Sequence, residues 1–342
     1  MSEAVVAAPT RGVRGAALVI AALAVLVATV VLSLMIGARP ISPSVVIEAL
    51  ARPDLDVNDH LVVVTQRLPR TVIGVLAGAA LAVAGGLMQG LTRNPLADPG
   101  LLGVNAGASV AVLIAITTLG VTQPAGFVWF AFAGAACAAV LVYAIGTAGR
   151  DGASPAKLAL AGAALTAGLT SISMFVLTTD QAALNTYRFW SVGSLTGRGL
   201  EVALPLAPVI LAGIAIALVS SPGLNVMALG DDTARGLGHS VGRTRAVGIV
   251  AVVMLCGAAT AIAGPIVFVG LLVPHAVRAL VGGDYRWILA VGAPLGAALL
   301  LSADVIGRVI AAPAEIEAGM IVAFLGAPVL IALVLRRRTA AL

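Results

Sequence analysis

The chain has 342 residues, of which 60% are hydrophobic and 10% charged, and its mean hydropathy is +1.10. These values exclude a water-soluble globular protein and predict an all-α polytopic membrane protein surrounded by lipid. The net charge of +5 is expected to orient helices, so no nucleic-acid partner is predicted. Cys137 and Cys256 lie inside apolar segments, where each is most simply a small hydrophobic side chain.

Ten apolar segments are candidates to cross a bilayer at about 1.5 Å per helical residue. They cover residues 15–38, 71–91, 101–120, 125–148, 158–178, 202–219, 246–263, 266–282, 287–303 and 318–335. The first is longer than the apolar part of a usual signal peptide, so we interpret it as a span. Only Gly264-Pro265 separates the seventh segment from the eighth, and a fused pair would reduce the count to nine.

The basic residues predict the orientation of these spans. With ten spans and both termini in the cytoplasm, thirteen of the twenty basic residues fall in inner segments, including Arg336 to Arg338 after the last span. Inner loops carry an excess of Lys and Arg, so cytoplasmic N- and C-termini are expected. In this topology residues 39–70 and 179–201 are outer loops, and residues 220–245 form the longest inner loop.

A short internal repeat indicates how the chain is organised. The sequence GAALAVAG at 78–85 recurs as GAATAIAG at 257–264, and Pro95 and Pro274 follow at the same distance. Because the two copies lie in spans of opposite direction, they predict two inverted halves. Chance similarity in a chain rich in Ala and Gly is the alternative.

Five blocks of sequence resemble the FecCD family, in the family's order and over nearly the whole chain. They are RLPRTVIGVLAGAALAVAGGLMQGLTRNPLADPGLLGVNAGAS at 67–109, NVMALGDDTARGLG at 225–238, GPIVFVGLLVPHAVRAL at 264–280, SADVIGR at 302–308 and GAPVLIALVLRR at 326–337. The resemblance implies one transmembrane permease domain over residues 1–342. Such a domain is a subunit of an ABC importer for ferric siderophores, haem or cobalamin.

The resemblance implies that the inner loop 220–245 carries a coupling helix, which sits in a groove of a cytoplasmic ABC ATPase. A solvated loop with an accidental helical period is the alternative. The implied coupling residues are Asn225, Met227, Ala228, Leu229, Gly230, Asp231, Ala234, Arg235, Leu237 and Gly238. The sequence contains no G-x-x-x-x-G-K-[ST] phosphate loop. We therefore expect two separate ATPase subunits to hydrolyse ATP, and this chain not to be an enzyme.

Three arginines are predicted at outer ends of spans: Arg67, Arg70 and Arg308. Basic residues are in excess on the inner side of a membrane, so this position is unusual for them. The resemblance implies that they meet acidic residues of an extracytoplasmic substrate-binding protein. Anchoring at the membrane interface is the alternative for each arginine. Asp304 also precedes Arg308 by four residues, the spacing at which a helix would pair them.

The resemblance places the translocation path along the fifth and tenth spans, between this chain and a second permease subunit, identical or homologous. The candidate path residues are Thr166, Thr170, Ser173, Glu315 and Glu317, and Ser154 is the candidate gate residue. The hydroxyl groups could instead bond their own helix backbone.

One departure from the family pattern concerns the last span. The family usually has Glu-Leu-Pro where this chain has Glu315-Ile316-Glu317. The lost proline leaves the start of the last helix in doubt. The extra carboxylate predicts a more negative mouth that disfavours strongly anionic chelates.

A ferric siderophore is the expected cargo, with cobalamin and haem as alternatives. The rival class is an ion-coupled secondary transporter, which needs ionisable residues deep inside its spans, and the apolar segments contain almost none. An intramembrane enzyme would need a motif such as HExxH or GxSxG, which the sequence lacks. His60, His239 and His275 have no second ligand at metal-binding spacing, so no metal site or cofactor is expected.

Overall fold

The computed structural model describes residues 11–37, 39–148 and 155–339, and within these ranges every regular element is a helix. A π-helical turn at Val63–Arg67 joins α3 to α4, and a 3-10 turn at Pro99–Leu102 precedes α5. The helices are α1 Arg11–Met35, α2 Pro43–Ala51, α3 Asn58–Val62, α4 Leu68–Thr92, α5 Val104–Leu119, α6 Pro124–Thr147, α7 Pro155–Thr179, α8 Gln181–Ser191, α9 Leu200–Ala203, α10 Ala207–Met227, α11 Asp231–Gly236, α12 Val241–Ala263, α13 Val269–Val281, α14 Tyr285–Ile310 and α15 Ala318–Thr339.

Seven helical stretches in the described ranges are long and apolar enough to span a membrane. They are Gly12–Met35, Asn58–Thr92, Ala125–Thr147, Ala156–Thr179, Ala207–Met227, Val241–Ala263 and Tyr285–Ile310. Three shorter apolar helices are Val104–Leu119, Val269–Val281 and Ala318–Leu333. Each of the ten predicted segments thus contains an apolar helix, although three of these helices are short for a full span. The all-helical class is confirmed.

Two breaks in the chain separate neighbouring apolar helices. Helix α12 ends at Ala263 and α13 begins at Val269, so the seventh and eighth segments are separate. Between them Gly264 has φ of 76°, a left-handed conformation that favours glycine. Helix α4 ends at Thr92, and Arg93 adopts φ of 52° before the chain turns toward Pro99.

Three helices form the centre of the bundle. In the most apolar part of α4 and its preceding turn, 78% of residues are buried, against 72% in α12 and 67% in α14. In α7 the share is 17%, so most of this helix faces outward from the chain. The central contacts are made by glycines: Gly78 packs on the backbone of Gly296, and Gly85 packs on that of Gly270. Small residues allow such close approach of helices in lipid.

The two ends of the bundle carry more helix than the sequence predicts. We call the end at which α1 finishes and α4 begins the upper end, and the opposite end the lower end. The predicted outer loops 39–70 and 179–201 contain α2, α3 and α8 at the upper end. The predicted inner loop 220–245 is also mostly helical, because α10 continues to Met227, α11 follows after Gly230, and α12 begins at Val241.

Candidate functional sites

A buried ionic cluster closes the upper end. Arg70, in the first turn of α4, donates from Nε to Asp304 Oδ1 at 2.8 Å and from Nη1 to Glu315 Oε2 at 2.6 Å. Asp304 lies on α14 and is fully buried. Arg308, one turn further along α14, donates from Nε to Asp304 Oδ2 at 3.0 Å. One carboxylate therefore bridges two guanidinium groups that come from helices distant in sequence.

The cluster also holds the end of α1. Arg308 Nη1 donates to the carbonyl oxygens of Ser33 at 2.8 Å and Ile36 at 2.9 Å. Arg67 Nη1 donates to the carbonyl oxygen of Leu34 at 2.7 Å. These bonds satisfy carbonyl groups that the last turn of a helix leaves without intrahelical partners.

This arrangement shows where the three predicted docking arginines lie. Arg67, Arg70 and Arg308 were expected at a surface that faces a partner, but their exposed fractions are 6%, 7% and 2%. Their guanidinium groups bond the protein itself, and the alternative pairing of Asp304 with Arg308 is present. Arg70 alone among the three also lines an open pocket of about 510 Å³ at the upper end, together with Arg198 and Glu315.

At the lower end, Asp231 ties α11 to two central helices. Its carboxylate lies 2.8 Å from Arg245 Nη2 at the start of α12 and 3.3 Å from Arg93 Nη2 at the end of α4. Arg235 on α11 lies 3.9 Å from the same carboxylate. The short helix α11 is therefore held rigidly against the bundle.

The predicted coupling residues divide into an internal and an exposed group. Met227 and Ala234 are buried in a small apolar cluster with Val241, so they support α11 and are not available to a partner. Asn225 is also internal, because its amide bonds Asp284 Oδ1 at 2.7 Å and the backbone N–H of Tyr285 at 2.9 Å. The exposed group, which we call the coupling surface, consists of Ala228, Leu229, Arg235, Leu237 and Gly238 together with Asp232.

The predicted path residues on α7 are not equivalent. Thr170 is exposed and Thr166 is half-buried. Ser173 is buried and donates to the carbonyl oxygen of Leu169 at 3.0 Å, which is the backbone-bonded alternative. The gate residue Ser154 lies outside the described residues, and its role stays a prediction.

The start of the last helix is well formed without the family proline. The carbonyl oxygen of Glu317 accepts from the N–H groups of Met320 at 3.0 Å and Ile321 at 3.3 Å. The expected excess of negative charge is also reduced, because Glu315 pairs with Arg70. Glu317 in turn acts electrostatically on Arg198.

A second upper pocket of about 610 Å³ lies beside α8. Its walls include the aromatic residues Phe127, Phe189 and Trp190 together with Arg198 and Glu317. Arg198 is 7% exposed and donates from Nη1 to the carbonyl oxygen of Ile262 at 2.5 Å. Burial lowers the pKa of Arg198 to about 10, with Glu317 opposing the shift, so the group stays protonated at neutral pH.

The sequence analysis did not identify Arg198 or this pocket. Arg198 stands in the short connection between α8 and α9 and belongs to none of the five sequence blocks. The one signal in the sequence that could have indicated Arg198 was its place in a predicted outer loop, because basic residues are in excess in inner loops.

The chain therefore has the architecture of a multi-pass inner-membrane transport protein, with a packed central trio of helices and polar sites at both ends. The model of the FecCD transport family matches residues 25–336, and the chain belongs to this family. Within it, this chain is a transport permease subunit and not itself an enzyme.

Curated relatives and one solved structure agree with this assignment. The chain is 48% identical to the ferric enterobactin transport system permease protein FepD of Escherichia coli over 93% of this chain and 94% of that protein. It is 42% identical to the probable siderophore transport system permease protein YfiZ of Bacillus subtilis over 80% and 82%. A structure described as an inward-facing metal-chelate type ABC transporter superposes with a TM-score of 0.80 at 27% identity, covering 94% of this chain and 99% of that one.

Proposed function

We propose that this chain is the permease subunit of a binding-protein-dependent ABC importer and moves a ferric siderophore inward by alternating access. The observation that carries the proposal is the coupling surface at the lower end. Leu229 and Leu237 are 61% and 66% exposed there, on loops next to a helix that is held by Asp231. Exposed leucines outside the spans favour a partner protein.

The proposed partner at the lower end is a pair of cytoplasmic ABC ATPases. A short helix that is bonded to α4 and α12 can transmit a push from such a motor to the centre of the bundle. Because the chain lacks a phosphate loop, ATP hydrolysis is assigned to these separate subunits. The proposed topology has both termini on the cytoplasmic side, together with α11.

The proposed partner along the membrane is a second permease, identical or homologous. Helix α7 has the smallest buried share of the seven spans, and Thr170 on it is exposed. An outward-facing helix with polar residues suits a wall of a path between two subunits. Thr166, Thr170, Glu315 and Glu317 remain the proposed path residues, and Ser173 is proposed only as support for the wall.

The proposed partner at the upper end is an extracytoplasmic substrate-binding protein. Of the three predicted docking arginines, Arg70 is the one that an acidic side chain can reach, through the pocket that it shares with Arg198. Arg67 and Arg308 are assigned an indirect role, because they hold the end of α1 in place. Charge pairing at such a face would govern association rate and would weaken with salt.

A ferric siderophore is proposed as cargo because the two relatives described above are a ferric enterobactin permease and a probable siderophore permease. The test is uptake of radiolabelled iron, supplied as a panel of ferric siderophores, in cells with and without this gene. Labelled cobalamin and haem are supplied in parallel. We expect loss of uptake of at least one ferric siderophore, restored by the wild-type gene.

The role of the coupling surface is tested in the same cells. The double variant Leu229→Ser, Leu237→Ser should abolish most uptake and release the ATPase during purification, at normal abundance in the membrane. The matched control Leu55→Ser removes a leucine of similar exposure, 59%, at the upper end and should retain the ATPase. If cells without the gene lose only cobalamin or haem uptake, the proposed ferric siderophore cargo is wrong. If the double variant retains the ATPase, the coupling role is contradicted.

A further inference from the structure

The upper pocket beside α8 contains buried polar groups that lack partners. Within the described ranges, Trp190 Nε1 and Glu317 Oε2 are buried and form no hydrogen bond. Arg198 uses Nη1 for the carbonyl oxygen of Ile262, and neither Nε nor Nη2 has a bond among the described residues. A buried polar atom without a partner is costly, so these atoms favour a partner that the described chain does not supply.

The unsatisfied atoms differ in character, which restricts the ligand. Arg198 and Trp190 offer N–H donors to an oxygen anion, and Glu317 offers an acceptor to an N–H or O–H group. Phe189 is 67% exposed and supplies an apolar ring beside them. A compact group with anionic oxygens, an aromatic or apolar face and a neighbouring amide N–H would satisfy all of these residues.

We propose that this pocket binds one anionic oxygen-bearing arm of the ferric chelate, of catecholate type, as the chelate enters the path, and that Arg198 and Glu317 together set the preference for chelate charge. The inference rests on the proposed function and assigns a specificity role to Arg198, Trp190 and Glu317. A pocket of about 610 Å³ is of the size that holds a small organic group.

The position of the pocket suits a step at the entrance. Helix α8 follows α7 directly, and Glu317 stands at the first turn of α15. The pocket therefore lies where both proposed path helices reach the upper end. The connection at residues 192–199 also touches α15, since Gly319 N–H donates to the carbonyl oxygen of Gly193 at 2.9 Å.

An acidic side chain of the binding protein is the competing occupant. The pocket fits it less well, because an aliphatic acid brings no N–H group to the unpartnered carboxylate oxygen of Glu317. The aromatic walls would also gain nothing from an aliphatic acid. A chelate arm would bond Arg198 and the unpartnered carboxylate oxygen of Glu317 and would also pack against the aromatic rings.

Two substitutions with opposite electrostatic effects test the inference. Arg198→Met removes the cation, and Glu317→Gln removes the opposing carboxylate while keeping its size. For each chelate that wild-type cells take up, uptake by the variant is divided by uptake by wild type. The probes are an anionic ferric tricatecholate and a neutral ferric trihydroxamate, and Arg52→Met is the control for the same charge change outside the pocket.

We expect Arg198→Met to reduce tricatecholate uptake about tenfold and trihydroxamate uptake less than about twofold, since one lost charge contact is worth about a factor of ten. Glu317→Gln should change the ratio in the opposite direction. A merely structural role would lower both uptakes together. Arg198→Lys, which keeps the charge, should restore part of the preference.

A binding measurement keeps the inference separate from the proposed function. The purified permease–ATPase complex in lipid nanodiscs is equilibrated with radiolabelled ferric tricatecholate, and wild type is compared with Arg198→Met. Weaker binding by the variant supports the pocket even if wild-type cells take up no ferric chelate, which would contradict the proposed cargo. Equal effects on both chelates, or loss of binding-protein affinity with unchanged chelate binding, would overturn the inference.

Discussion

At the scale of single residues, the upper end depends on one shared carboxylate. Asp304 is fully buried and bonds both Arg70 and Arg308, while Glu315 supplies the second negative charge. Buried charges are tolerated when they are paired and hydrogen-bonded, and the removal of one partner leaves the others uncompensated. Asp304 is therefore the residue whose loss would leave two buried cations with too few acceptors.

The variant Asp304→Asn is expected to lower the free energy of unfolding by about 3–5 kcal/mol, because a neutral amide cannot balance two buried guanidinium groups. The measurement is the apparent melting temperature of the purified protein in detergent. The control is Asp59→Asn, since Asp59 lies 3.6 Å from an arginine, Arg39, that is mostly exposed. An exposed pair contributes about 0–1 kcal/mol, so equal shifts for the two variants would contradict the central role of Asp304.

The residues of this cluster show what the sequence could and could not predict. The spacing of Asp304 and Arg308 on one helix already indicated their pairing. The contact between Arg70 and Asp304 joins residues 234 positions apart, which no local pattern can reveal. The docking interpretation of the arginines followed from the family resemblance, and the sequence did not show that the end of α1 buries them.

At the scale of helices, close contacts of glycine replace large apolar side chains in the centre. In α4, a side chain at Gly78 would overlap the carbonyl oxygen of Gly296, and one at Gly85 would overlap that of Gly270. In lipid, where burial of apolar surface gives little drive, such contacts hold a bundle together.

The variant Gly85→Ala is expected to destabilise the bundle by about 1–3 kcal/mol, because its methyl group would force α4 and α13 apart. Gly168→Ala in α7 is the matched control, since a methyl group at Gly168 meets no atom within 4 Å. Thermal unfolding in detergent and abundance in the membrane are measured for both. Equal stability of the two variants would show that the contact of Gly85 with Gly270 is not limiting.

The helices themselves were largely predictable, and their ends were not. Apolar length located a helix in each of the ten segments, and Gly264-Pro265 correctly marked the break between α12 and α13. Helices α2, α3 and α8 were missed because they have only 9, 5 and 11 residues, too few to cross a bilayer. Helix α10 extends to Met227, beyond the predicted end of the sixth segment at residue 219, and it accommodates Pro222 within the packed bundle.

At the scale of the whole molecule, α4 connects the two polar ends. Its 25 residues extend over about 37 Å. Arg70 in its first turn belongs to the upper ionic cluster, and Arg93 just past its end contacts Asp231, which holds α11. One buried helix thus links the proposed docking end to the proposed coupling surface. A displacement of α11 would reach the upper end through a rigid element.

This whole-molecule reading requires that α11 face the cytoplasm and the upper end face outward, as the distribution of basic residues predicts. Single cysteines in a Cys137→Ala, Cys256→Ala background test it. Asp232→Cys on α11 and Asp56→Cys before α3 both replace exposed residues at opposite ends. In intact cells or spheroplasts, a membrane-impermeant maleimide should label Asp56→Cys alone, and in inverted vesicles it should label Asp232→Cys alone. The opposite pattern would reverse the bundle, and labelling of both sites from one side would contradict the assignment of the two ends to opposite faces.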